Sequence, residues 1–197
     1  MESLIQFYQE QYPIVVQQLN HGLDTRFAYH GLRHTLDVIE QSEQIGLAMQ
    51  CSEEQIQILK IASLFHDLGF LHVRKGHEKA SSDLFLSASE HKINDIQRQQ
   101  ISACILATTM PQSPQNLLEQ IICDADLDYL GRNDFFEISQ DLFHEMHACG
   151  EMSDQKTWDE IQVVFLDKHQ FHTTFNQSRR NLQKQHHLMQ IKERIKG

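Results

Sequence analysis

Ile61-Ala62-Ser63-Leu64-Phe65-His66-Asp67-Leu68-Gly69-Phe70 is the stretch on which the reading of this chain turns. Its spacing predicts the end of a helix begun near Ser52. Wound at about 100° per residue, Ile58, Ile61, Ala62, Leu64, Phe65 and Leu68 cover most of such a helix. A helix that apolar belongs in a core. Its last turn nevertheless carries an imidazole and a carboxylate side by side. An unpaired carboxylate in a core costs several kcal/mol, so Asp67 requires a cation, a hydrogen-bond network or a metal. The dipeptide alone decides nothing, because 13 His and 13 Asp in 197 residues supply about one such pair by chance. The partners have to come from elsewhere in the chain.

The bulk properties set the frame. A length of 197 residues suits one domain able to bury a core without staples. Eight Gly and three Pro are few, which disfavours a turn-rich β fold and suits long helices. A net charge of −10 argues against nucleic acid polymers and anionic membrane surfaces as partners. A small anionic substrate stays compatible, because a local metal and a few basic side chains can dominate the field. Cys51, Cys104, Cys123 and Cys149 lie far apart, and no two of them form a C-x-x-C pair. Reduced thiols in a cytosolic core are the expectation, not a disulfide framework. The amino terminus has no basic stretch followed by an apolar run, and no window reaches about 18 apolar residues. A cytoplasmic protein without a membrane segment is expected.

Outward from the central helix, the periodicity gives helices and little else. Residues 2–20 are expected to be helical, with a break or a new first turn at Pro13. A second helix is expected over 32–49. Ser52-Glu53-Glu54-Gln55 reads as a capping box that opens the central helix. Residues 68–76 read as a short loop carrying His72, Arg74 and Lys75. Helices follow over 77–91, 95–109, 116–130 (ended by Gly131), 134–148, 154–171 and 174–196. Pro111 and Pro114 mark a connector between two of them. The last helix is polar and basic and is expected to pack by one edge. The fold class is all-α.

Two further stretches supply partners for His66 and Asp67. Upstream, Tyr29-His30-Gly31-Leu32-Arg33-His34 places His30 and His34 at i, i+4, on one helix face. Downstream, Cys123-Asp124-Ala125-Asp126-Leu127-Asp128 carries three alternating carboxylates. On one continuous helix Asp124 and Asp128 share a face, and Asp126 points toward the side of Ile122 and Leu130. That makes Asp126 the candidate for an inward carboxylate. Two imidazoles and two carboxylates from three helices can give four ligands to one divalent ion. Mixed N/O ligation suits Mn, Fe(II), Co, Ni, Zn or Mg and excludes a soft thiolate site.

The order His34, His66-Asp67, Asp126 resembles the H…HD…D signature of the HD-domain superfamily of metal-dependent phosphohydrolases. Leu64-Phe65-His66-Asp67-x-Gly69, Gly76-His77-Glu78-x-x-Ser81 and Asp124-Ala125-Asp126-Leu127-x-x-Leu130-Gly131 carry the resemblance. Phe165-Leu166-x-x-His169-x-Phe171-x-Thr173 looks like the carboxy-terminal segment of one uncharacterised bacterial branch. The resemblance implies an HD-domain helical bundle over residues 1–197, with its core at about 22–148. It implies His34, His66, Asp67 and Asp126 as metal ligands. His30 matches the extra His that protonates the leaving oxygen in cyclic-nucleotide phosphodiesterase relatives, although this chain has Gly31 where they carry Asn. The Glu-Asp pair that follows the motif in guanosine tetraphosphate hydrolases is replaced by Leu68-Gly69-Phe70-Leu71.

The implied activity is hydrolysis of a phosphate ester of a small molecule, a nucleotide being the favoured class, by a metal-bound hydroxide. His30 and Asp67 would be the catalytic pair. Arg74, Lys75 and Lys79 would meet phosphate oxygens, and His77 and Glu78 would support the site or a weak second ion. The composition leaves a homo-oligomer open. Two rival expectations stand beside this one: a metal-containing regulatory module without turnover, and a di-iron oxygenase. His144, His147, His169, His172, His186 and His187 read as packing or surface residues, the pair His186 and His187 as exposed. Trp158 and Phe165 read as core.

Overall fold

The computed structural model describes residues 1–196. Among them nine α-helices and two short 3-10 turns carry the chain, with no strand. The helices are α1 (Glu2–Gly22), α2 (Leu32–Ala48), α3 (Glu53–Phe65), α4 (His77–Ala88), α5 (Asp95–Ala107), α6 (Leu117–Asp126), α7 (Phe135–Ala148), α8 (Gln155–Lys168) and α9 (Thr174–Lys196). The all-α expectation holds. None of the described helices is long and apolar enough to cross a membrane.

The chain divides into two compact units, one of residues 1–24 and 30–126, the other of residues 25–29 and 127–197. In the first unit α3 is central, packed by α1, α2, α5 and α6. Its start is fixed as expected: Ser52 Oγ accepts from the Gln55 amide at 3.3 Å and Gln55 Oε1 from the Ser52 amide at 2.8 Å. Ile58, Leu59, Ile61, Ala62, Leu64 and Phe65 are all but fully buried. The Phe65 ring meets Phe7 of α1 at 6.3 Å and Phe85 of α4 at 5.5 Å. A hydrogen bond of 2.8 Å between the Ser42 and Ser63 hydroxyls ties α2 to α3 inside the core.

Several expected boundaries move. Pro13 lies inside α1 and does not break it. The central helix stops at Phe65, with Asp67 outside regular helix (φ −107°, ψ 3°) before a 3-10 turn over Leu68–Leu71. Part of the expected loop 68–76 is therefore ordered as that turn. The cause is close packing on α4: Gly69 donates its amide to Ser81 Oγ at 2.8 Å. A Cβ at Gly69 would stand 2.1 Å from the His77 carbonyl oxygen. A continuous helix is not required once the backbone must approach this closely. Likewise α6 ends at Asp126, and residues 128–131 form a second 3-10 turn. The expected single helix through residue 130 is thus two elements.

The second unit is held by α7, α8 and α9 around Leu130, Phe135, Leu166, Phe171 and Ile191. At Gly131 a Cβ would come within 2.5 Å of Arg180 backbone, so α9 crosses this turn at contact distance. Asp128, fully buried, accepts from Asn176 (3.0 Å), Arg179 (2.7 Å) and Arg180 (2.7 Å). Trp158 is core as expected, and Phe165 packs against the cluster. The expectation for His187 fails. Its ring is buried, stacks on Phe135 at 4.6 Å and donates from Nδ1 to the Leu130 carbonyl at 3.0 Å. The polar composition of α9 hid this inward face. His186 is exposed.

Candidate metal centre

Every residue of the H…HD…D series falls in the first unit. His34 enters from the first turn of α2, His66 and Asp67 from the end of α3, and Asp126 from the last residue of α6. Helix ends are what bring them together, and α2 packs on both α3 and α6. His34, His66 and Asp67 each offer one ligand atom within 4.8 Å of the other two. The Nε2 atoms of His34 and His66 are 3.3 Å apart. Asp67 Oδ2 lies 3.2 Å from His66 Nε2 and 3.4 Å from His34 Nε2. Asp126 Oδ1 lies 3.1 Å from His34 Nε2 and 3.7 Å from His66 Nε2.

The tautomer of His66 follows from its other nitrogen. Nδ1 is 2.8 Å from the Ser63 carbonyl, which can only accept, so Nδ1 carries the proton. In the neutral ring Nε2 then presents a lone pair to a second imidazole and two carboxylates. Asp67 Oδ2 is buried and makes no hydrogen bond, despite its nearness to both rings. With both rings neutral, four possible ligand atoms converge in one space. This donor set, two imidazole nitrogens and two carboxylate oxygens, fits a borderline or hard divalent ion. The Ser63 carbonyl fixes the ring as a supporting partner does for a ligating His.

The electrostatics agree. Burial alone would lower the His66 pKa, but Asp67, with Asp126 behind it, outweighs burial and raises it to about 9. Burial would raise that of Asp67, yet His66 beside it holds the carboxyl well below its ordinary range. The cluster stabilises positive charge. His77 extends the site: its Nε2 is 3.3 Å from Asp67 Oδ1, and its Nδ1 donates to the Arg74 carbonyl at 3.0 Å. Against the opposing effect of burial, the hydrogen bond to Asp67 raises the His77 pKa. Glu78 Oε1 lies 3.6 Å from His77 Nε2 and is largely buried.

His30 stands at the rim. Its ring stacks on Phe70 at 4.2 Å and lies 6.1 Å from His34 and 6.0 Å from His77 between centroids. Phe70 also stacks on His77, at 3.9 Å. Sequence reading passed over Phe70, because an aromatic residue in an apolar run looks like core. It also passed over the Ser63 carbonyl, whose only signal is its place three residues before His66. The basic candidates scatter. Lys75 and Lys79 are exposed, Lys79 pairing with Asp83 one helical turn on, and Arg74 is half-buried. Of the acidic triplet, Asp124 is fully buried in the first unit, and Asp128 belongs to the arginine cluster of the second.

A family model described as the HD domain matches residues 31–128. The match includes His34, His66, Asp67 and Asp126; it begins one residue after His30 and leaves out the carboxy-terminal helices. No curated protein and no solved structure matches the chain.

Proposed function

Because the chain belongs to the HD-domain family, whose members are generally metal-dependent phosphohydrolases, we propose that it hydrolyses a phosphate ester of a small molecule, a nucleotide being the favoured class. The observation that supports this reading is the buried Asp67 oxygen without a hydrogen bond, facing two imidazole nitrogens. His34, His66, Asp67 and Asp126 would hold one divalent ion of the Mn, Fe, Co, Ni, Zn or Mg class. Such an ion acidifies water and polarises a phosphoryl oxygen.

The protein's own groups divide the remaining work. The Ser63 carbonyl keeps the His66 ring turned so that its lone pair faces inward. His66 and Asp67 are shielded from solvent, whereas the side chains of Asp126 and His77 keep 16% and 19% of their exposure. Substrate therefore approaches from the side of Asp126 and His77. His30, held against Phe70 on the rim, would give a proton to the departing alkoxide oxygen. Arg74, Lys75 and Lys79 would attract phosphate from the segment that precedes and opens α4, with Lys75 and Lys79 solvated until it binds.

The test is elemental analysis of the purified full chain, followed by a hydrolysis screen over nucleoside monophosphates, cyclic nucleotides and sugar phosphates. Metal-dependent turnover that Asp67→Asn abolishes is expected. A full metal equivalent with no turnover on any phosphate ester would favour the regulatory module instead.

A further inference from the structure

The second unit contains a cavity of about 650 Å³ that the metal centre does not use. It opens between the end of α8, the turn that follows it and α9. Leu166, Phe171, Leu188 and Met189 give it an apolar side. Lys184, His169 and Asp167 also line it, with Asn181 and three glutamines.

Lys184 is only 6% exposed, which is rare for a lysine. Its ammonium donates to the His169 main-chain carbonyl and lies 3.3 Å from His169 Nδ1. It also sits 5.7 Å from the centre of the Phe171 ring. Among the described residues no carboxylate comes within ion-pair distance of it. The charge of Asp167 acts on it from farther off, and Asp167 itself pairs with Lys192. Capping the end of α8 accounts for one of its three N–H groups and offsets part of its charge. It leaves the rest without a carboxylate in ion-pair contact.

The imidazole is incomplete in the same sense. An ammonium can only donate, so His169 Nδ1 must accept and the ring proton sits on Nε2. Nε2 is buried and has no acceptor. The Phe171 ring stands perpendicular to it at 4.7 Å and supplies no hydrogen-bonding atom. Burial, with Lys184 beside it, pushes the His169 pKa down to about 3, which keeps this ring neutral. An unsatisfied buried donor costs about 1–3 kcal/mol, and an uncompensated charge costs more. Both residues line the same cavity, together with the apolar side chains.

We propose that this cavity binds a small organic monocarboxylate, its carboxylate facing Lys184 and the His169 ring and its apolar body lying on Leu166, Leu188 and Met189. The single ammonium matches the single charge of a monoanion. A dianion such as phosphate fits worse, since one ammonium balances one charge and Asp167, lining the same cavity, repels each charge added. The volume suits a ligand of a few to a dozen heavy atoms. The site is independent of the metal centre and of the activity proposed for it.

Titration calorimetry and thermal melting of the full chain with hexanoate, benzoate, hexan-1-ol and inorganic phosphate test this. Hexanoate or benzoate should bind saturably and raise Tm, with hexan-1-ol and phosphate giving little. Lys184→Met should weaken binding by about 10–100-fold, the loss of a charged hydrogen bond. Met189→Trp, at an exposed helix position, should fill the cavity and abolish binding while the fold stays intact, so it remains informative if the Lys184 variant unfolds. Three results overturn the proposal: no saturable binding of either acid up to about 10 mM, well above a millimolar Kd; equal binding of hexan-1-ol or phosphate; or unchanged binding in Met189→Trp.

Discussion

The Nε2 atoms of His34 and His66 face each other across 3.3 Å, although 32 residues separate them in the chain. Two ring nitrogens do not hold that position for each other's sake, since the Ser63 carbonyl already fixes the His66 proton on Nδ1. Asp67, next to His66, and Asp126, at the end of α6, close the same space. Removing one carboxylate should therefore remove the reason for the arrangement. His66→Ala and Asp67→Ala should each lose the bound metal and also lower stability, because the remaining donors are left buried and unpaired. Elemental analysis of the purified variants is the measurement. A full metal equivalent retained in Asp67→Ala would remove Asp67 from the ligand set.

His30 sits on the rim against Phe70, not among the converging atoms. His30→Ala should keep the metal and lose about 10²–10⁴ in rate. The loss should shrink on nitrophenyl phosphate, whose leaving group needs no proton. Equal losses on nitrophenyl and alkyl esters would make His30 a positioning residue, and a lost metal would make it a ligand.

His77 approaches the outer oxygen of Asp67, at 3.3 Å from Oδ1. A di-iron oxygenase would need another His from the helix that follows α4. The chain has none from residue 92 to residue 143, and Thr108, Thr109 and Met110, at the exit of that helix, are poor ligands for a hard metal. One tightly held ion per chain is expected, with at most a weakly held second beside Asp67 Oδ1. His77→Ala should spare the first and remove the second. Metal titration monitored by calorimetry resolves the two. Two irons per chain, or substrate-dependent oxygen uptake, would replace the hydrolase reading with the oxygenase.

In the second unit, Asp128 is the shared acceptor of Arg179, Arg180 and Asn176 and lies 3.8 Å from Arg132. Asp128→Ala would leave guanidinium groups crowded without that acid. A loss of about 3 kcal/mol is expected, the lower end for breaking a buried pair, because the arginines keep some solvent. The urea midpoint reports it, with the slope of the transition unchanged.

His169 gives a signed pH effect. Its folded pKa of about 3 lies below the ordinary value near 6.5, so the unfolded chain binds a proton that the folded chain refuses. Stability from this group is complete above about pH 6.5 and falls as the pH drops toward 3. Between pH 6.5 and 5 it should lose about 1–2 kcal/mol. His169→Gln should flatten that part of the profile. Urea unfolding at the two pH values gives the comparison, and equal acid slopes in both proteins would contradict the assignment.

The sequence by itself determined the all-α class, the capping box at Ser52, the apolar faces of the central helix and the series His34, His66-Asp67, Asp126 that the fold brings together. These are local in origin: helix period and cap chemistry act over a few residues, and a carboxylate in an apolar run demands a partner whatever the fold. Tertiary structure alone decided where the helices stop. The Gly69 backbone meets the His77 carbonyl, so α3 ends at Phe65 and Asp67 turns toward the two imidazoles. It alone set Phe70 against His30 and His77, and it buried His187 on Phe135 within a helix whose composition reads as solvated. The same holds for Lys184, which no pattern separates from the other basic residues of α9. Whether a charged group is solvated or enclosed depends on contacts between distant elements, and a single sequence does not carry those.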